Sequence, residues 1–153
     1  MRKIYLIFIL ILTFNYSQTD SRIKEFEKIL GERQTKALNL LVSDFEKNLD
    51  TLYPDLSTDK AYKKYLTDII ADSTTDWEKF KFQSDKTNSE FHQSGLWDDI
   101  YIKDSDTLIK RYWDMRESAG MLSNELFVSG TLSLEPDFNN YFHKRIVVVE
   151  YSF

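Results

Sequence analysis

Helix breakers are scarce in this chain: four glycines and two prolines serve all 153 residues. An all-β sandwich needs turns roughly every 8–12 residues, and those turns draw on glycine and proline. So few breakers imply long elements and predict an all-α fold. No cysteine is present, which removes disulfide staples and every thiolate metal site, so stability must come from a packed core. The material for that core is aromatic. Eleven Phe, nine Tyr and three Trp offer large surfaces that a small domain can bury.

Apolar residues fall into helical register along most of the sequence. Ile23, Phe26, Leu30, Ala37, Leu38, Leu41, Phe45, Leu49 and Leu52 recur mostly at steps of three and four, with Asp20 or Ser21 placed to cap the start and Pro54 to stop the run. Gly31 lies inside this pattern at a cost of about 1 kcal/mol relative to alanine, which predicts a break or bend there. Lys28–Glu32 and Glu32–Lys36 are four-residue charge pairs of the kind that decorate a solvated helix face. Ala61, Tyr62, Tyr65, Leu66, Ile69 and Ile70 form the stripe of a second helix, with caps available between Ser57 and Asp59.

Thr75-Asp76-Trp77-Glu78 has capping-box spacing and predicts a short helix carrying Trp77 and Phe80; Thr87-Asn88-Ser89-Glu90 repeats the signature ahead of Phe91–Tyr101. Asp104-Ser105-Asp106 caps a further helix with Leu108, Tyr112, Met115 and Ala119 in register, closed by Gly120. Ser123 begins another, carrying Leu126 and Phe127 and a small-residue spot at Ser129-Gly130 suited to close approach of a neighbouring backbone. At the C-terminal end Phe138, Phe142, Ile146 and Val149 fit a helix, whereas the β-branched run Ile146–Val149 suits a strand. A strand over Ile146–Tyr151 would have no partner, so a buried helix is the preferred reading. No repeat or linker divides the chain. The expectation is one domain over residues 18–153, a helical bundle of about five to seven helices.

The first residues, MRKIYLIFILILTFNYSQ, have a basic start at Arg2 and Lys3, an apolar stretch from Ile4 to Phe14, and a polar end. The apolar stretch is about half of the roughly 20 residues a spanning helix requires. This is the layout of a secretory signal, and it resembles export signals of Gram-negative bacteria in which Tyr-Ser-Gln precedes the mature chain. Residues 1–17 are therefore expected to be removed, with export to the periplasm or beyond the cell and no stable membrane insertion afterwards. With no cysteine at the cleavage point, no lipid tether can form. Loss of Arg2 and Lys3 takes the formal charge from −5 to −7, which argues against nucleic acid or anionic lipid as partner.

Familiar catalytic patterns are absent from the sequence. His92 and His143 are the two side chains whose ordinary pKa suits proton transfer near neutrality, and neither has a carboxylate at helical contact spacing. Asp68 and Asp72 are four apart and could converge on a cation, but no calcium loop surrounds them. Ser21-Arg22-Ile23-Lys24 and Ser57-Thr58-Asp59-Lys60 match Ser-x-x-Lys only superficially, because both serines stand at helix-cap positions and the companion elements are missing. The richest mixture lies in Phe91–Glu117, where His92, Trp97, Tyr101, Arg111, Trp113 and Arg116 combine the residue types that interface hot spots and ligand pockets use. The resulting expectation is a non-catalytic interaction or accessory module of the cell envelope, an inhibitor-type protein being one form, with a protein partner and no cofactor. Two alternatives stand beside it: a small-ligand or metal binder with a pocket between helices in 91–117, and a hydrolase with dispersed acidic residues.

Overall fold

The computed structural model describes residues 21–72, 74–80, 107–119 and 123–152. Helix α1 covers residues 21–30, α2 is Glu32–Leu52, α3 is Thr58–Ala71, α4 is Thr107–Ala119, α5 is Asn124–Leu132 and α6 is Tyr141–Tyr151; a 3₁₀ turn, Trp77–Phe80, follows α3. The described regular structure is thus all helical, as the breaker count implies. No described helix is long and apolar enough to cross a membrane. The expected helix over Phe91–Tyr101 lies outside the described residues.

Longest of the helices, α2 turns Leu38, Leu41, Val42, Phe45 and Leu49 inward and packs on α3 and α6. α3 packs also on α5, and α4 on α5 and α6, so each of the helices α2 to α6 packs against two other helices. A chain of rings runs through the middle. Phe138 stacks on Tyr62 at 5.1 Å, Tyr62 on Phe45 at 5.6 Å, and Phe45 meets Tyr65 edge-on at 5.0 Å. Tyr65 then touches Tyr151 at 5.5 Å, Tyr151 touches Phe127 at 5.5 Å, and Phe127 touches Tyr112 at 5.8 Å. Five helices are joined by rings at separations where offset and edge contacts each add about 0.5–1.5 kcal/mol beyond burial.

Polar side chains fix the connections. Ser57 precedes α3 without a side-chain capping bond, while Asp59, two residues on, accepts from the Phe138 backbone N–H at 2.9 Å and from Lys63 at 2.7 Å. Burial works against the Asp59 charge, but the Lys63 and Phe138 donors outweigh it and hold the carboxyl below its ordinary range. The short helix expected after Thr75 forms as a 3₁₀ helix, Trp77–Phe80. Asp72 accepts from both the Thr74 and Thr75 hydroxyls, its backbone carbonyl accepts from Trp77 Nε1 at 2.8 Å, and Glu78 N–H bonds to Asp76. Ser123 caps α5 as expected, through Leu126 N–H at 3.3 Å. Asn140 caps α6 through Phe142 N–H at 2.8 Å.

At Ile146–Tyr151 the helix prevails over the strand. Ile146, Val147 and Val148 are all buried, so the burial of three large apolar side chains overrides a modest β preference. Near Gly130 the close approach comes from a side chain, not a backbone: a Cβ added there would lie 2.7 Å from Met115 Sδ on α4. The thioether is flexible enough to yield.

Tyr62 and Tyr65 are 0 % and 1 % exposed, and burial pushes both hydroxyls far above the ordinary tyrosine range. A raised folded-state pKa means that the folded protein keeps protons which the unfolded chain releases. Stability from these groups is complete below the unfolded value of about 10 and declines as pH rises beyond it, by about 1.4 kcal/mol per pH unit for each tyrosine. We predict that in an alkaline titration the core tyrosinate absorbance and the loss of helical circular dichroism appear in one step above pH ~10. Ionisation of these tyrosines with the helices intact would contradict the buried placement.

Candidate functional site

Residues 21–52 form one helical run bent at Gly31. The glycine has φ 81° and ψ 161°, a combination that essentially only glycine adopts. Backbone bonding continues on both sides, with Gly31 N–H donating to Glu27 O and Thr35 N–H to Gly31 O, each at 3.0 Å. Thr35 Oγ1 also donates to Glu27 O at 3.2 Å. Eight residues separate the two, roughly 12 Å of rise in a straight helix, so this contact marks the face toward which the run folds.

That face is a groove. Its lining comprises two neighbouring rows at four-residue spacing: Lys24, Lys28, Glu32, Lys36 and Leu40 along one, Glu27, Gly31, Thr35 and Asn39 along the other. The open volume is ≈ 780 Å³. Lys24, Lys28, Glu32 and Lys36 are exposed, whereas Glu27, Gly31 and Thr35 are half-buried. Leu40 closes one end and is 53 % exposed, the most exposed of the large apolar side chains described.

Helix α6 braces the groove from below. Phe26 of α1 meets Phe142 edge-on at 5.4 Å and Tyr141 at 6.1 Å, and the Arg22 guanidinium lies 5.0 Å above the Phe142 ring. The Tyr141 hydroxyl donates to Glu27 Oε1 at 2.9 Å. Arg145, only 5 % exposed, stacks over the Tyr141 ring at 3.3 Å, donates from Nη1 to the Tyr141 carbonyl at 2.8 Å, and donates from Nη2 to Asn39 Oδ1. Two groove-lining side chains, Glu27 and Asn39, are therefore held by α6. Farther along the same seam Lys144 bonds to Glu46 at 2.8 Å. The Tyr62 hydroxyl faces Glu46 without closing a hydrogen bond to it; burial first, then the Glu46 charge, push it up, against a partial offset from Arg145.

Charge is distributed unevenly. Residues 22–36 hold five cations and three acids, a net +2, while residues 37–153 hold thirteen and twenty-one, a net −8. The groove lining itself carries Lys24, Lys28 and Lys36 against Glu27 and Glu32, a net +1, and Glu27 accepts from the Tyr141 hydroxyl. The formal charge of the lining is thus opposite in sign to that of the chain as a whole.

Elsewhere the candidate chemistry resolves into structural roles. Tyr53 Oη donates to Asp68 at 2.9 Å and Lys64 bonds to both of its oxygens, which sets Asp68 apart from Asp72. Asp72 accepts from Thr74 and Thr75, and those hydrogen bonds hold its carboxyl down to about 2. His143 Nδ1 accepts from the Asp137 backbone N–H at 3.2 Å, fixing the turn into α6. No group of three metal-ligating side chains occurs among the described residues. His92, Trp97 and Tyr101 lie outside those residues; Arg111 is exposed on α4, and of Trp113 and Arg116 the backbone in α4 is described, not the side chains. The chain matches no protein-family model, no curated protein and no solved structure.

Replacing Gly31 with alanine separates backbone strain from crowding. The nearest neighbour of an added Cβ is Gln34 Oε1 at 3.5 Å, so space is available and the backbone alone sets the cost. Gly31→Ala is expected to lower stability by about 1–3 kcal/mol in urea denaturation. A gain of about 1 kcal/mol, the value helix propensity alone would give, contradicts a required bend.

Proposed function

We propose that the protein is an exported, non-catalytic interaction module of the cell envelope, and that its working surface is the groove along α1 and α2. The observation that supports this reading is the groove itself: an open, lysine-lined trough ending at an exposed leucine, with two lining side chains anchored from α6. Exposed apolar surface flanked by charge is the composition of docking sites, and a braced surface loses little entropy when a partner settles on it. The described carboxylates with resolved partners serve the fold: Asp59 fixes the α5–α6 connection, Asp68 holds Tyr53, Asp72 closes the turn after α3, and Glu46 holds Lys144. Export follows from the reading of residues 1–17 as a signal.

Photo-crosslinking tests the proposal. Leu40, Ile70 and Leu126 are exposed apolar residues on different helices, and each is replaced in turn by a photoreactive residue and illuminated in an envelope extract. The expected result is one recurrent adduct from the Leu40 position, with a protein that re-forms the complex from purified components. Absence of any specific adduct from all three positions overturns the interaction reading.

A further inference from the structure

We infer that the face of α6 beneath α1 accepts a second copy of this chain: residues 21–52 straighten at Gly31 and two molecules exchange α1, each laying it on the other's α6. The inference stands apart from the interaction reading above and rests on the hinge and the contacts on either side of it. The apolar pattern supplies the first support. Phe26, Leu30, Leu38, Leu41, Phe45 and Leu49 keep helical register through the glycine, with half-buried Gln34 at the missing step. A continuous helix over residues 21–52 therefore carries one unbroken apolar stripe. In the bent form Phe26 reaches Phe142 of the same molecule. In the straight form Phe26 and Leu30 project past it and need another copy's α6 to bury them.

The backbone supplies the second support. Gly31 holds φ 81° and ψ 161°, and α2 opens on it with no side-chain cap. Across the hinge, Gly31 N–H bonds to Glu27 O and Thr35 N–H to Gly31 O. A continuous helix adds bonds from the Glu32 and Gln34 N–H groups to the Lys28 and Leu30 carbonyls, and relaxes the strained dihedrals. Straightening gives up the Thr35 Oγ1 bond to Glu27 O in return. The socket on α6 is specific: Phe26 packs on Phe142 and Tyr141, Arg22 lies over the Phe142 ring, and Tyr141 Oη donates to Glu27. These contacts all run between α1 and α6, so a partner's α1 restores each of them. Reciprocal exchange is twofold and closes at two copies. A straight run has no bent face, so the exchanged dimer lacks the groove and the two states are alternatives.

The test uses the full chain without residues 1–17, with light scattering to read the dimer dissociation constant. Gly31→Ala disfavours the bent dihedrals at two hinges per dimer, each by a factor of about ten or more, so the constant should fall on the order of a hundredfold. Below that concentration the variant shows the loss of stability expected of the strained monomer; above it, the urea midpoint should rise with protein concentration. Exchange itself is read by mixing Gly31→Ala chains that carry Glu27→Cys with Gly31→Ala chains that carry Tyr141→Cys, refolding them together from urea and adding a short bismaleimide. A cross-linked heterodimer is the expected product, because neither chain holds both thiols. A Gly31→Ala variant that stays monomeric at millimolar concentration overturns the inference. So does a dimer that gives no cross-link between positions 27 and 141, since that is an association of unexchanged molecules. Should Gly31→Ala fail to fold, the same two thiol variants with Gly31 retained are refolded together at high concentration; the heterodimer supports exchange and its absence overturns it.

Discussion

One backbone conformation governs the upper half of the molecule. At φ 81° and ψ 161°, Gly31 joins two helices that could not serve their neighbours as a single rod. Downstream, Phe45 is fixed in the ring chain against Tyr62 and Tyr65. Upstream, Phe26 and Leu30 must reach the core beside Phe142 at the start of α6. Both demands are apolar burial, worth about 1.5–3 kcal/mol for each large side chain, and together they exceed the cost of a strained residue that glycine tolerates. The bend is thus imposed from both ends and permitted in the middle.

The groove is a consequence of that bend and of the brace beneath it. Arg145 would be a liability if its guanidinium were merely buried, since an unsatisfied charge away from water is costly. Here it lies on the Tyr141 ring and donates to Tyr141 and Asn39, so the same group that stabilises α6 against α2 also fixes a groove side chain. Tyr141 does the same for Glu27. The surface that faces solvent is positioned by the interior seam, which is why burial and docking geometry are coupled in this fold.

Much of the architecture was legible in the sequence because it depends on local rules. Breaker scarcity indicated helices, Gly31 stood out against an apolar period, Ser123 occupied a cap position, and α6 was preferred over a strand for lack of a pairing partner. The short helix at Trp77–Phe80 was legible too, and what the sequence did not show is its 3₁₀ form, with the Thr75 hydroxyl donating to Asp72 and Glu78 N–H bonded to Asp76. The groove was hidden by two averages. A net charge of −5 conceals a +2 segment, and Lys28–Glu32–Lys36 reads as ordinary solvated pairing unless the bend makes the row one wall of a trough. Arg145 left a fainter signal, four residues after Tyr141 and three after Phe142 on the apolar side of α6. An arginine in core register points to an internal polar seam, although its partner Asn39 lies 106 residues away and only the fold brings them together.

The bend toward the groove is open to direct measurement. Because the chain has no cysteine, Lys24→Cys and Leu40→Cys provide the only two thiols for paired spin labels, placed at opposite ends of the lysine row. In a straight helix these positions are separated by about 24 Å of rise. A bend toward the face where Thr35 meets Glu27 predicts an inter-label distance distribution centred clearly below that of a straight reference helix carrying labels at the same spacing. The same distribution in both would mean that residues 21–52 form a straight rod, and the groove would have no structural basis.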